Sequence, residues 1–115
     1  MQRVSELLRL SDSLSLWQAY DPAVKSDLFS TAIETSAGVF LIDPIPLARS
    51  CLEQLSAPAR FAAVLVTNVN HQRAAADFAR RLAVPIFAGG AVVAALAAES
   101  ARSISDGGEI SPGIA

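Results

Sequence analysis

The segment Val64-Leu65-Val66-Thr67-Asn68-Val69-Asn70-His71-Gln72-Arg73-Ala74 decides how this chain is read. Its first residues are apolar and β-branched, the composition of a strand covered on both faces. The residues after Thr67 are mostly polar, and they lead into Ala74, Phe78 and Leu82, which recur at helical spacing. A buried strand that empties into a polar loop and then into a helix N-terminus is where open α/β sheets collect their sites. Asn70 can cap that helix by accepting backbone N–H bonds, and Asn68 can do similar work in the loop. His71 is the only histidine of the chain. The residues alone leave two readings of it open: a partly exposed imidazole beside a structural cap, or part of an altered site. A zinc centre on paired histidines is not available here, because catalytic zinc usually takes three protein ligands.

Working outward, residues 61–67 form the strand itself. Before Pro58, the residues Leu47, Cys51, Leu52 and Leu55 make one apolar stripe of a helix. Further upstream the grammar is that of strands. Ser13-Leu14-Ser15-Leu16-Trp17-Gln18-Ala19 alternates polar and apolar side chains, residues 28–35 are rich in β-branched and aromatic types, and Ser36-Ala37-Gly38 supplies a turn. Val39-Phe40-Leu41-Ile42 completes a hairpin whose second strand is buried on both faces. Asp43-Pro44-Ile45-Pro46 ends it, since proline has no N–H for a ladder and restricts the residue before it. Downstream, a helix is expected over 71–83, with Arg73, Asp77 and Arg81 on its outer face at i, i+4 spacing. A short strand over 84–88, an alanine-rich helix over 91–99, and a tight turn at Asp106-Gly107-Gly108-Glu109 opening a strand at Ile110 follow. The fold class is therefore α+β (mixed α/β), a β-hairpin followed by α-β-α-β-α.

Composition bounds the function. With 115 residues, 52% of them hydrophobic and 17% charged, the chain suits one domain, residues 1–115, and is too apolar for a disordered tail. The net charge is −2 and the nine basic residues are scattered, so a nucleic-acid partner is not expected. The apolar stretches fall short of the roughly 20 residues a membrane span requires. The start, Met1-Gln2-Arg3-Val4-Ser5-Glu6, lacks the pattern of a signal peptide, so no membrane and a cytoplasmic location are expected. Cys51, the single cysteine, reads as a buried inert thiol. Gly89-Gly90 precedes a helix without the spacing of a phosphate cradle. Ser103 and Ser105 read as loop residues, while Trp17 and Tyr20 read as packing or exposed-edge residues. The 22 alanines, mostly after Leu55, permit close helix-to-sheet packing.

The order of these elements carries a resemblance. A hairpin ending in Val39-Phe40-Leu41-Ile42-Asp43, a helix, and then Val64-Leu65-Val66-Thr67 feeding a polar loop is similar to the N-terminal half of the metallo-β-lactamase fold superfamily. That family carries the metal motif Thr-His-x-His-x-Asp-His directly after such a strand. Laid on this sequence, Thr67 matches, the paired histidines fall on Asn68 and Asn70, the aspartate on Gln72 and the last histidine on Arg73. Leu82-Ala83-Val84-Pro85-Ile86-Phe87-Ala88 resembles the family's next strand, and Asp106-Gly107-Gly108-Glu109-Ile110 its Asp-Gly-Asp/Glu turn. The likeness spans residues 14–113. The form Thr67-Asn68-x-Asn70-His71-x-Arg73-x-Ala75 itself resembles a branch of the superfamily that reads Thr-Asn-x-x-His-x-Arg.

The resemblance implies half of an αββα sandwich, incomplete at its C-terminus. It implies that Asp43 orders the metal loop, although Pro44-Ile45-Pro46 replaces the family's small Thr-Gly-type turn. Neutral amides and an arginine at the metal-motif positions imply no cofactor and no dinuclear zinc. Three functions follow as expectations: a non-catalytic domain binding a small anionic ligand through Arg73 and His71; a hydrolase in which Asp43, His71 and Arg73 are the catalytic candidates and further residues lie beyond residue 115; or a homodimeric interaction module. The family's two halves pack sheet against sheet, so a lone half would present an apolar face to a second copy or to the missing C-terminal half.

Overall fold

Two kinds of connection build one sheet, and the change from one to the other falls at Asp43. The computed structural model describes residues 4–56, 60–67, 73–89 and 101–103. Among them, β1 (Leu8–Arg9), β2 (Leu14–Asp21), β3 (Ser26–Thr35) and β4 (Gly38–Ile42) pair antiparallel through short turns. Beyond β4 each new strand runs parallel to the last, and parallel neighbours need a crossover. Accordingly α1 (Arg49–Ser56) leads to β5 (Phe61–Val66), and α2 (Ala75–Leu82) leads to β6 (Ile86–Ala88). β7 (Ala101–Ser103) pairs parallel to β6. The seven strands lie side by side in chain order.

Alternation along the strands gives the sheet two unlike faces. Trp17, Ala32, Leu41, Val64, Val66, Ile86 and Ala88 share one face through their register, and all are buried. Cys51, Leu52 and Leu55 of α1, and Ala75, Phe78 and Ala79 of α2, pack on that face in one continuous core. The stripe of Leu47, Cys51, Leu52 and Leu55 is buried as expected, with Leu47 just ahead of the helix. Trp17 satisfies its indole by donating from Nε1 to the Ile45 carbonyl at 3.0 Å. Leu16, Ile33, Phe40, Ile42, Leu65 and Phe87 lie on the opposite face, where Phe40 is buried and the others half-buried. Tyr20 and Phe29, on the same face toward the tip of the β2–β3 hairpin, are exposed.

Several sequence expectations are corrected. Helix α2 begins at Ala75 rather than at 71, and its N-cap is Ala74, which makes no side-chain capping bond. Asn70, the expected cap, lies outside the described residues. Arg73 has φ +44°, a left-handed conformation that interrupts any helical turn ahead of Ala74. Ser103 belongs to β7 rather than to a loop, and β1 was not expected at all. Two-residue and three-residue edge strands have too few positions to show an alternation. The helix expected over 91–99, the turn at Asp106, Gly107, Gly108 and Glu109, and Ser105 lie outside the described residues. No helix among the described residues is long and apolar enough to cross a membrane.

Two backbone positions test this packing. Gly38 has φ +125°, and a Cβ built on it would stand 2.4 Å from the Arg60 carbonyl oxygen. Gly38→Ala is expected to lower unfolding free energy by at least about 2 kcal/mol in urea titration. Ala83 ends α2 in a left-handed conformation at φ 55°, where glycine carries no Cβ penalty. Ala83→Gly is expected to raise stability by about 0.5–1 kcal/mol in the same measurement.

Candidate functional site

Asp43 follows β4 directly and bonds in three directions. Its N–H donates to the Leu65 carbonyl of the neighbouring strand at 2.8 Å, continuing the ladder by one residue. Its carboxylate reaches across to the end of β5: Oδ1 accepts the Thr67 N–H at 2.8 Å and Oδ2 accepts the Thr67 hydroxyl at 2.6 Å. Its carbonyl accepts from Ser30 Oγ at 2.8 Å and from Arg73 Nη1 at 2.7 Å. A carbonyl has two lone pairs, and both are used. The residue is 8% exposed and sits at φ +48°, so the network holds a non-glycine residue in a region it would not choose. Aspartate is among the few residues that tolerate this conformation.

The residues around it complete the arrangement. Ser30 is buried on the core face of β3; its hydroxyl donates to Asp43 and accepts the Ile45 N–H at 2.9 Å. The proline-rich segment after Asp43 is tied again where the Ala74 N–H donates to the Pro44 carbonyl at 3.0 Å. Arg73 does not lie on the outer face of α2. Its Nη1 bridges the carbonyls of Phe29 and Asp43, each at 2.7 Å, while Asp77 pairs with Arg80 and Arg81 instead. The left-handed turn at Arg73 removes it from the helix, so the expected i, i+4 register with Asp77 is lost. The structure thus brings two of the three catalytic candidates, Asp43 and Arg73, into direct contact. The third, His71, and the metal-motif positions Asn68, Asn70 and Gln72 lie outside the described residues.

Both carboxylate oxygens of Asp43 accept hydrogen bonds from Thr67, and a guanidinium rests on the carbonyl of the same residue. Cys51 is buried in the core on α1. What the sequence otherwise offers beside Thr67 is one imidazole and three neutral amides, a weak set for zinc. Among the described residues, no three His, Cys, Asp or Glu side chains are grouped to hold a metal ion. A separate open groove of about 1210 Å³ runs between residues 4–8 and the outer edge of β2, lined by Leu8, Leu16, Trp17 and Tyr20. It touches none of the residues around Asp43.

Sequence reasoning did not single out Ser30. Its signal is a polar residue at an inward-facing position of β3, between the half-buried Leu28 and the buried Ala32. Such a residue needs a partner, and the partner is a carbonyl 13 residues away.

With this geometry in place, comparison with known proteins gives the class. A sequence model of the metallo-β-lactamase superfamily matches residues 7–115. The chain belongs to the metallo-β-lactamase superfamily. No curated protein matches the sequence. Among solved structures, metallo-β-lactamase IND-7 superposes with a TM-score of 0.68 at 17% identity, covering 95% of this chain and 56% of that one. A metallo-β-lactamase from Pontibacter korlensis gives 0.64 at 14% identity, covering 85% and 49%. One from Staphylococcus aureus subsp. aureus COL gives 0.57 at 16% identity, covering 89% and 31%. These identities support a shared fold. The chain spans about half the length, or less, of these structures, and it resembles their N-terminal half.

The Asp43–Thr67 contact can be tested by substitution. Asp43→Ala leaves the Thr67 N–H and hydroxyl without their acceptor and places alanine at a positive φ; a loss of about 2–3 kcal/mol is expected in urea unfolding. Asp43→Asn keeps an oxygen for the Thr67 N–H and tolerates the backbone, so less than half that loss is expected.

Proposed function

We propose that this chain is a divergent metallo-β-lactamase-fold domain that works without the family's resident metal and binds a small anionic ligand, of the carboxylate or phosphate class, beside Arg73. The observation that carries this reading is the state of the Arg73 guanidinium. Nη1 is held by two carbonyls, whereas Nε and Nη2 make no hydrogen bond among the described residues. A guanidinium fixed at one nitrogen keeps the rest of its fork in a set orientation, which suits bidentate recognition of a carboxylate or phosphate. The placement supports the reading as well: the side chain is only part-buried, and it stands at the end of the polar loop where the matched family carries its chemistry. His71, two residues earlier in sequence, is the natural second donor to such an anion.

On this reading the domain is non-catalytic. Asp43 is engaged with Thr67, and a hydrolytic role would require it to exchange those bonds for a water. The test is a titration of the purified chain with inorganic phosphate and with a small dicarboxylate, followed by calorimetry and by NMR shifts. Binding in roughly the millimolar range is expected. It should weaken at least about tenfold in Arg73→Gln and in His71→Ala, each checked for folding by circular dichroism. Absence of binding by the wild-type chain, or metal-dependent hydrolysis of a chromogenic β-lactam, would overturn the reading.

A further inference from the structure

We infer that Arg73 is a resident cation of the fold: its guanidinium crosslinks β3, the residue after β4, and the segment entering α2, the work a bound metal would do at this loop, and zinc has no place there. The inference starts from the same two Arg73 bonds as the proposed function and shares its premise of a metal-free loop, but it concerns the work of the bonded nitrogen and not the unbonded part of the fork.

The geometry is specific. β4 pairs with β3 only as far as the Ile42–Thr31 register, so two residues further along, at Phe29, β3 has no backbone partner from β4. Arg73 Nη1 supplies one, donating to the Phe29 carbonyl and, at the same 2.7 Å, to the Asp43 carbonyl. The two acceptors lie 44 and 30 residues from Arg73 in sequence, and one nitrogen joins both. Hydrogen bonds from a charged donor are the short, strong kind, and these are. They also account for the backbone. Arg73 sits at φ +44° without being glycine, aspartate or asparagine, a conformation that persists only where the surroundings over-determine it. Arginine is the residue able to do this, since its planar fork stays charged at any working pH and reaches two acceptors at once.

The same contacts oppose a divalent ion. A fixed positive charge already rests on the Asp43 carbonyl, and the Asp43 carboxylate is turned toward Thr67. Like charges at this range repel, and neutral amides do not offset that repulsion.

The experiment compares thermal unfolding of the full chain and its Arg73→Met, Arg73→Lys and Arg80→Met variants, each in zinc and in chelator, with native mass spectrometry of the wild type after zinc incubation. The wild type is expected to melt at the same temperature in zinc and chelator and to retain no zinc after desalting. Arg73→Met should melt about 10 °C lower, and Arg73→Lys, which keeps a cation, should recover more than half of the difference. Arg80, whose guanidinium pairs with Asp77 at the surface, serves as the control and should shift the melt by no more than about 3 °C. If Arg73→Met does not fold, folding of Arg73→Lys supplies the same support. One or two zinc ions per chain, an unchanged melt in Arg73→Met, or equal losses in the methionine and lysine variants would overturn the inference. A chain that takes no zinc and fails to bind phosphate would sink the proposed function alone. Zinc loading would sink both.

Discussion

The open end of the sheet depends on one residue accepting hydrogen bonds from three parts of the chain. Asp43 receives Thr67 on its carboxylate and Ser30 and Arg73 on its carbonyl, while its own N–H extends the β4–β5 ladder. The polar end of β5 depends on its carboxylate, while the buried hydroxyl of β3 and the entry to α2 depend on its carbonyl being held in this orientation. Burial sharpens that dependence, because a donor left unpaired in a mostly desolvated place costs more than the bond contributes when made. The candidate site is thus continuous with the structural framework: the contacts that join Asp43, Thr67 and Arg73 are themselves part of the fold.

Strain is distributed in the way such a site requires. Among the described residues, four that are not glycine have positive φ: Lys25, Asp43, Arg73 and Ala83. Lys25 lies in the β2–β3 turn and Ala83 ends a helix, where left-handed residues are routine. Asp43 and Arg73 belong to neither class. They touch each other, and the hydrogen bonds between and around them hold both conformations. Strained residues persist only where their surroundings over-determine them, and here each of the two supplies part of the other's surroundings.

The division of the sheet explains why the site falls where it does. Hairpin-linked antiparallel strands give way to helix-linked parallel ones at Asp43, so β4 and β5 end on the same side, where Asp43 meets Thr67. The two described helices, α1 and α2, pack on one face. On the other, Phe40 is buried whereas Tyr20 and Phe29 are open to solvent, so cover is uneven across that face.

Much of this was legible in the residues. The buried run of Val39-Phe40-Leu41-Ile42, the stripe of Leu47, Cys51, Leu52 and Leu55, and the strand leading to Thr67 all announce themselves through burial and period, because each is long enough to repeat. The motif positions from Thr67 to Arg73, with the strand before them, are enough to indicate the family. The sequence could not reveal that Arg73 leaves the helix, that Ser30 binds the carbonyl of Asp43, or that strands as short as β1 and β7 exist. The contacts of Ser30 and Arg73 turn on partners 13 to 44 residues away, and no local period records them. Local pattern determined the elements and their order. Only tertiary structure decided which polar groups meet at the end of the sheet, because a hydrogen bond between distant residues exists only once the strands between them have paired.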